Sequence, residues 1–238
     1  MEWRWFKIPI AFDAVTVGTS FTTNGTFSHT TTGDNRLLIV TVNVEGTTST
    51  AGTVSYAGVN LSNIINQSTT GAGANTRAEM WSLVNPTSGA NNVIVQMNTG
   101  DNDFCAAALS FTGVTQTSPI EGSVSATGTS DTISNDITTV ADNAWVVNSI
   151  SNVDSTQTWT PGANQTERVD QPTSSASADR VYVSTEGPQT PAGVVTMSQN
   201  RSGVDSQKSA HVLASFAPVA AVAAVTIAGW KSLMGVGN

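Results

Sequence analysis

Cysteine, histidine and positive charge are all scarce in this sequence. The single cysteine, Cys105, excludes an intramolecular disulfide, and its place in the apolar run FCAAALSF is that of a small buried hydrophobe, not of a reactive thiolate. The two histidines, His29 in FSHTTTG and His211 in SAHVLASF, lie in no nucleophile elbow, H-E-x-x-H helix or metal-ligand spacing, so each is expected to be structural. Lys and Arg number 9 against 17 Asp and Glu, a formal net charge of -8. With no basic cluster to neutralise consecutive phosphates, nucleic acid is excluded as a partner. The acids are scattered, as on an ordinary solvated surface. Long apolar runs are missing too. The uncharged stretch from Phe216 to Trp230 is about 15 residues, short of the roughly 20 that span a bilayer as a helix. The N-terminal MEWRWFKIPIAFD has no apolar h-region and no small-residue cleavage site, so no secretory signal is expected.

Ser and Thr fill much of the space so left, at roughly a quarter of the residues, with 20 glycines and apolar stretches rich in Val and Ile. That composition favours pleated strands joined by Gly and Asn turns, and the expected class is all-β. Short strands are expected at Arg36 to Val44, Thr76 to Val84, Asn92 to Asn98, Asp103 to Thr112, Ala144 to Ser151, Asp179 to Thr185, Gly193 to Gln199 and Ala210 to Ala217. LLIV and AWVV read as central strands covered on both faces, whereas EMWSLV and RVYVST alternate as if one face were wet.

The second half echoes the first. TTGDNRLLIVTV matches TTVADNAWVVNSI, YAGVNLSNIINQ matches TPGANQTERVDQ, MWSLVNPTSGANNVIVQM matches YVSTEGPQTPAGVVTM with Ser82 on Ser184, and ALSFTGV matches LASFAPV. The order is kept at a spacing of about 102 to 108 residues. The expected organisation is an N-terminal extension (1–9), two tandem sandwiches of the jelly-roll kind (10–118 and 119–219) and a C-terminal arm (220–238). The alternative is one larger jelly roll whose two sheets each draw on both halves.

Few residues invite chemistry. Glu79, Glu121, Glu167 and Glu186 are the candidate pair-forming acids for a glycoside hydrolase, but their strand and turn settings predict solvated carboxylates, and no catalytic residue is assigned. Asp101 and Asp103 in GDNDF are weak Ca²⁺ candidates, an Asx turn being the simpler reading, as it is for Ala141 to Asn143; no metal or other cofactor is expected. Trp81 and Trp145 read as core, leaving Trp159, in QTWTPG, as the one candidate for an exposed glycan-stacking ring. At the ends, Trp3, Trp5 and Phe6, then Trp230, Leu233 and Met234, are of the types that anchor protein interfaces.

The blocks GDNRLLIVTV, VSYAGVNL, AEMWSLVNPTSGANNVIVQM, ALSFTGVTQTSPIE, TTVADNAWVV and STEGPQTPAGVVTMS resemble a group of β-sandwich proteins common in tailed-phage genomes and in some bacterial surface proteins. The resemblance spans roughly Ile10 to Val219 and rests on strand and turn signatures, so it carries no functional residue across. It implies a non-enzymatic virion component, such as a capsid decoration protein, head fibre or tail-associated protein, assembled in the host cytoplasm. Its partners would be copies of itself and other virion proteins. The alternative is a glycan-binding adhesin on a virion or bacterial surface, outside the cell.

Overall fold

The computed structural model describes residues 5–6, 9–48, 50–72, 74–98, 103–153, 156–172, 180–203, 207–220 and 222–223. Among them there is no helix; every element is a strand, and every ladder is antiparallel. The first half contributes β2 (Ala11–Phe21), β3 (Asn24–Thr31), β4 (Leu37–Glu45), β5 (Ala51–Tyr56), β6 (Val59–Asn60), β7 (Ser62–Ser68), β8 (Thr76–Val84), β9 (Gly89–Met97) and β10 (Phe104–Thr112). The second contributes β11 (Ile120–Gly128), β12 (Thr132–Thr138), β13 (Ala144–Asn152), β14 (Trp159–Pro161), β15 (Gln165–Pro172), β16 (Arg180–Gln189), β17 (Val194–Arg201) and β18 (Ser209–Phe216). Two short strands at the ends, β1 (Trp5–Phe6) and β19 (Val222–Ala223), pair with each other.

Each half forms a five-stranded sheet facing a smaller one. The orders are β2-β10-β4-β8-β7 over β3-β9-β5-β6, then β11-β18-β13-β16-β15 over β12-β17-β14. Strand for strand the second path follows the first, without a partner for β6. None of these four sheets mixes the halves, which departs from the jelly-roll alternative. Irregularities recur at matching places. The β7–β8 ladder slips between Asn63 and Ile65, and the β15–β16 ladder between Glu167 and Val169. The β2–β10 ladder bulges at Asp13 and the β11–β18 ladder at Glu121, each between the partners of a Ser-Phe pair, Ser110-Phe111 and Ser215-Phe216. A bulge adds one residue and bends its strand, turning the edge strand toward the facing sheet.

The apolar matter lies in three layers. Leu38, Val40, Val42 and Val44 of β4 and Phe104, Ala106 and Ala108 of β10 meet Val54, Tyr56, Val93 and Val95 inside the first sandwich. The alternate residues, Leu37, Ile39, Cys105, Ala107, Leu109 and Phe111, meet Trp145, Val147, Val183, Val212, Ala214 and Phe216 from the second half. The two five-stranded sheets therefore pack face to face, and the largest apolar cluster lies between the halves. Phe111 is its hub, with ring centroids 4.8 Å from Phe216, 5.7 Å from Trp145 and 5.7 Å from Phe12. Such side chains contribute roughly 1.5–3 kcal/mol each when fully buried, so the halves form one block and not two beads on a linker.

Burial on both faces accounts for LLIV and AWVV and corrects the reading of EMWSLV and RVYVST. Val181 to Glu186 of β16 are all buried, as are Ala78 to Met80 and Ser82 of β8. Their alternation is between two interiors, not between interior and water. Polar atoms seal the seam between the halves: Asn43 Nδ2 donates to Ser149 Oγ at 3.2 Å, Thr76 and Ser151 share a hydroxyl bond, and Ser125 Oγ donates to Gln67 Oε1 at 2.8 Å. Of SFAPV, expected as core from Ser215 onward, Ser215 and Phe216 are fully buried, while Ala217 to Val219 are half-buried and Pro218 bridges to Val114.

Candidate functional site

The densest cluster of chemistry-bearing side chains gathers around His29, inside the first sandwich near the Asp13 bulge. Alternation along β3 turns His29 inward, where it is 1% exposed. Its Nε2 lies 3.1 Å from Ser110 Oγ of β10 and its Nδ1 3.0 Å from Thr16 Oγ1 of β2. Ser110 Oγ donates to Asp13 Oδ2 at 2.7 Å, and the same carboxylate accepts the Thr32 N–H at 2.8 Å and the Thr32 hydroxyl. Counting protons assigns the tautomer. The one Ser110 proton goes to Asp13, so Nε2 of His29 carries the hydrogen that Ser110 accepts, and bare Nδ1 accepts from Thr16.

This arrangement holds the reverse order of a nucleophilic triad, in which the carboxylate orients the imidazole and the imidazole takes the serine proton. Here the carboxylate holds the serine proton away from the imidazole. Ser110 is also fully buried, so no substrate reaches it. Burial pushes His29 down to about 4 against the opposing pull of Asp13, leaving it neutral near pH 7. Burial alone would raise Asp13, but the bonds from Thr32 and Ser110 leave it below its usual value. The cluster ties β2, β3 and β10 together. Nothing in the sequence points to it, because its partners are 13, 81 and 97 residues apart.

Three of the four candidate glutamates are engaged by protein partners. Glu79 is 1% exposed, not solvated: β8 turns it into the first sandwich, where it pairs with Arg77 at 2.6 Å and accepts the Ala51 N–H and the Trp81 indole N–H. Glu121 accepts the backbone N–H groups of Val140 and Ala141. Glu186, also buried, accepts Gln189 Nε2 at 2.7 Å, and burial raises it. Glu167 alone is exposed; partial burial and the nearby Asp170 raise it, Arg180 opposing.

Trp159 is not an exposed platform. It is 2% exposed and packs on Tyr182, ring centroids 6.3 Å apart, because Asp170 Oδ2 accepts its backbone N–H and alternation along β14 sends Thr160 outward instead. Trp145 is core and Trp81 half-buried against the first sandwich's interior. Cys105 is buried, and burial pushes its thiol up to about 12, far from a nucleophile. His211 is fully buried and pushed by burial down to about 3.

Among the described residues no group of His, Cys, Asp and Glu is placed to hold a metal, and no helix is long and apolar enough to cross a membrane. Asp101 lies outside the described residues, as do Trp3, Trp230, Leu233 and Met234; Asp103 precedes β10, and Trp5 and Phe6 form β1. The open recesses among the described residues differ in lining: Ile64 and Ile120 line one beside Glu121. Another is lined by Asp34, Asn35, Arg36, Val84, Asn85 and Gln116, with Arg36 already donating to Pro86 O and Asn85 Oδ1. Compared with known proteins, the chain matches no family model, no curated protein and no solved structure.

Proposed function

We propose that this protein is a non-enzymatic structural component of a phage virion, of the capsid-decoration or head- or tail-fibre kind, built from an internally duplicated sandwich and assembling through its termini. The observation that carries the reading is the pairing of the two ends. Trp5 pairs with Ala223 and Phe6 with Val222, a two-stranded ribbon outside the four larger sheets. An isolated ribbon is marginal in water and keeps unpaired backbone edges. Adding it to a neighbouring subunit's sheet satisfies those edges and brings Trp5–Phe6 and Val222–Ala223 to one contact. The matching strand orders and bulges support duplication, and the single rigid block they build suits a particle component. The glycan-binding alternative loses its platform with Trp159 inside.

Deleting 1–8, 220–238 or both tests the reading. The expected result is unchanged circular dichroism and melting temperature, with a fall in assembly size by sedimentation and loss of cosedimentation with capsids or tails. A full-length chain that stays a monomer and binds neither particle would reject it.

A further inference from the structure

The two sandwiches differ in chemistry at matching inward positions. In the first, Val40 with its cross-strand partner Trp81, and Ala106 opposite Val42, line the apolar interior. Pairing Leu37 with Phe111 and Trp145 with Phe216 puts Asn148, Ser184 and His211 in those places in the second. Ser184 therefore matches Trp81, one residue away from the Ser82 match read in the sequence. The second interior is split as a result into two small clusters, one around Val146, Met197 and Leu213 and one around Ile150, Trp159 and Tyr182.

A polar chain runs through it from one sheet to the other. Asn148 Nδ2 donates to Ser184 Oγ at 2.9 Å, Ser184 Oγ to Gln165 Oε1 at 3.2 Å, and Gln199 Nε2 of β17 to the same Gln165 oxygen. Its ends are left over. Asn148 Oδ1 and Gln199 Oε1 have no protein partner, nor does either ring nitrogen of His211 or Trp159 Nε1, and the buried Tyr182 hydroxyl has the Ser184 side chain of the same chain of bonds beside it. Asn148, His211 and Gln199 are 0% exposed and so is Tyr182. His211 and Tyr182 flank Ile150 on one cross-strand row, and Asn148 is the next inward residue of the central strand.

We propose that the interior of the second sandwich is a binding site for a cluster of ordered water molecules seated among Asn148, Tyr182, His211 and Gln199, while the first sandwich is dry. Two amide oxygens there can only accept, an indole N–H can only donate, and the phenol and imidazole do both. Water is the smallest molecule that donates and accepts at once, and buried water in folded proteins sits among polar groups of this kind.

Oxygen-17 relaxation dispersion on the full chain counts water held far longer than at the surface. Long-lived water is expected in the wild type, with reduced amplitude in Asn148→Val/Tyr182→Phe and full amplitude in Trp81→Phe; circular dichroism verifies folding, and Tyr182→Phe alone serves if the double variant unfolds. A wild type without long-lived water, or a folded variant of the second sandwich that keeps the full amplitude, overturns the proposal. A high-resolution crystal map reads the site directly. Water density among the four side chains supports it, and direct side-chain pairing or a larger bound molecule there refutes it.

Discussion

At the scale of single residues, the polar groups around His29 are matched donor to acceptor. Ser110 serves both Asp13 and His29, so Ser110→Ala leaves the buried His29 ring and the half-buried Asp13 carboxylate each short of a partner. The expected cost is about 1–3 kcal/mol, read as a lower urea midpoint with an unchanged slope. The histidines make stability depend on pH. Folded, His29 and His211 stay neutral down to about 4 and about 3, whereas unfolded they take up protons near 6.5. The unfolded chain binds more protons between those values, so stability falls as pH drops from about 6.5 toward 3 and the histidine contribution levels off below that. Asp13, held low, adds stability above its ordinary range and loses it as pH falls through its folded value, in the same direction. His211→Leu removes the larger histidine contribution, and a flatter urea midpoint across pH 4 to 7 is the expected outcome.

Strands and their irregularities carry the next level. Each five-stranded sheet turns its edge at an acidic bulge residue, and that acid also accepts N–H groups of the loop before the central strand: Asp13 from Thr32, Glu121 from Val140 and Ala141. Opposite the second loop, β16 runs close beneath a large ring. A Cβ on Gly187 would lie 2.5 Å from Trp145 Cγ, nearer than carbon atoms approach. Gly187→Ala must therefore displace an indole wedged between the halves, at a cost of about 1–3 kcal/mol typical of overpacking. A lower melting temperature together with a changed tryptophan emission spectrum is expected; an unaltered spectrum would show that the ring is not held there.

The molecule as a whole is four layers with its heaviest core in the middle, between the sheets that its two halves contribute. Halves joined in this way unfold together. Phe111→Ala, at the hub of that middle layer, is expected to cost about 3–5 kcal/mol, with reporters in the first half (Trp81) and the second (Trp159) moving in one transition. Two separate transitions would mean that the halves are independent after all.

The strands around LLIV, AWVV and FCAAALSF and the turns between them were legible in the sequence, because alternation, β-branched runs and Gly or Asn turns are local properties. The edge strands β2, β3, β11 and β12 were less so, since Ser and Thr on both faces blur the alternation, and β15, QTERVDQP, offers Val169 as its one aliphatic side chain before Pro172. Tertiary structure alone decided that the second cover over LLIV and AWVV is the other half of the chain, that Glu79 and Trp159 point inward, and that Asp13, His29 and Ser110 converge. A strand's two faces look alike in sequence when both are buried; which interior each one meets is set by packing between segments up to about a hundred residues apart.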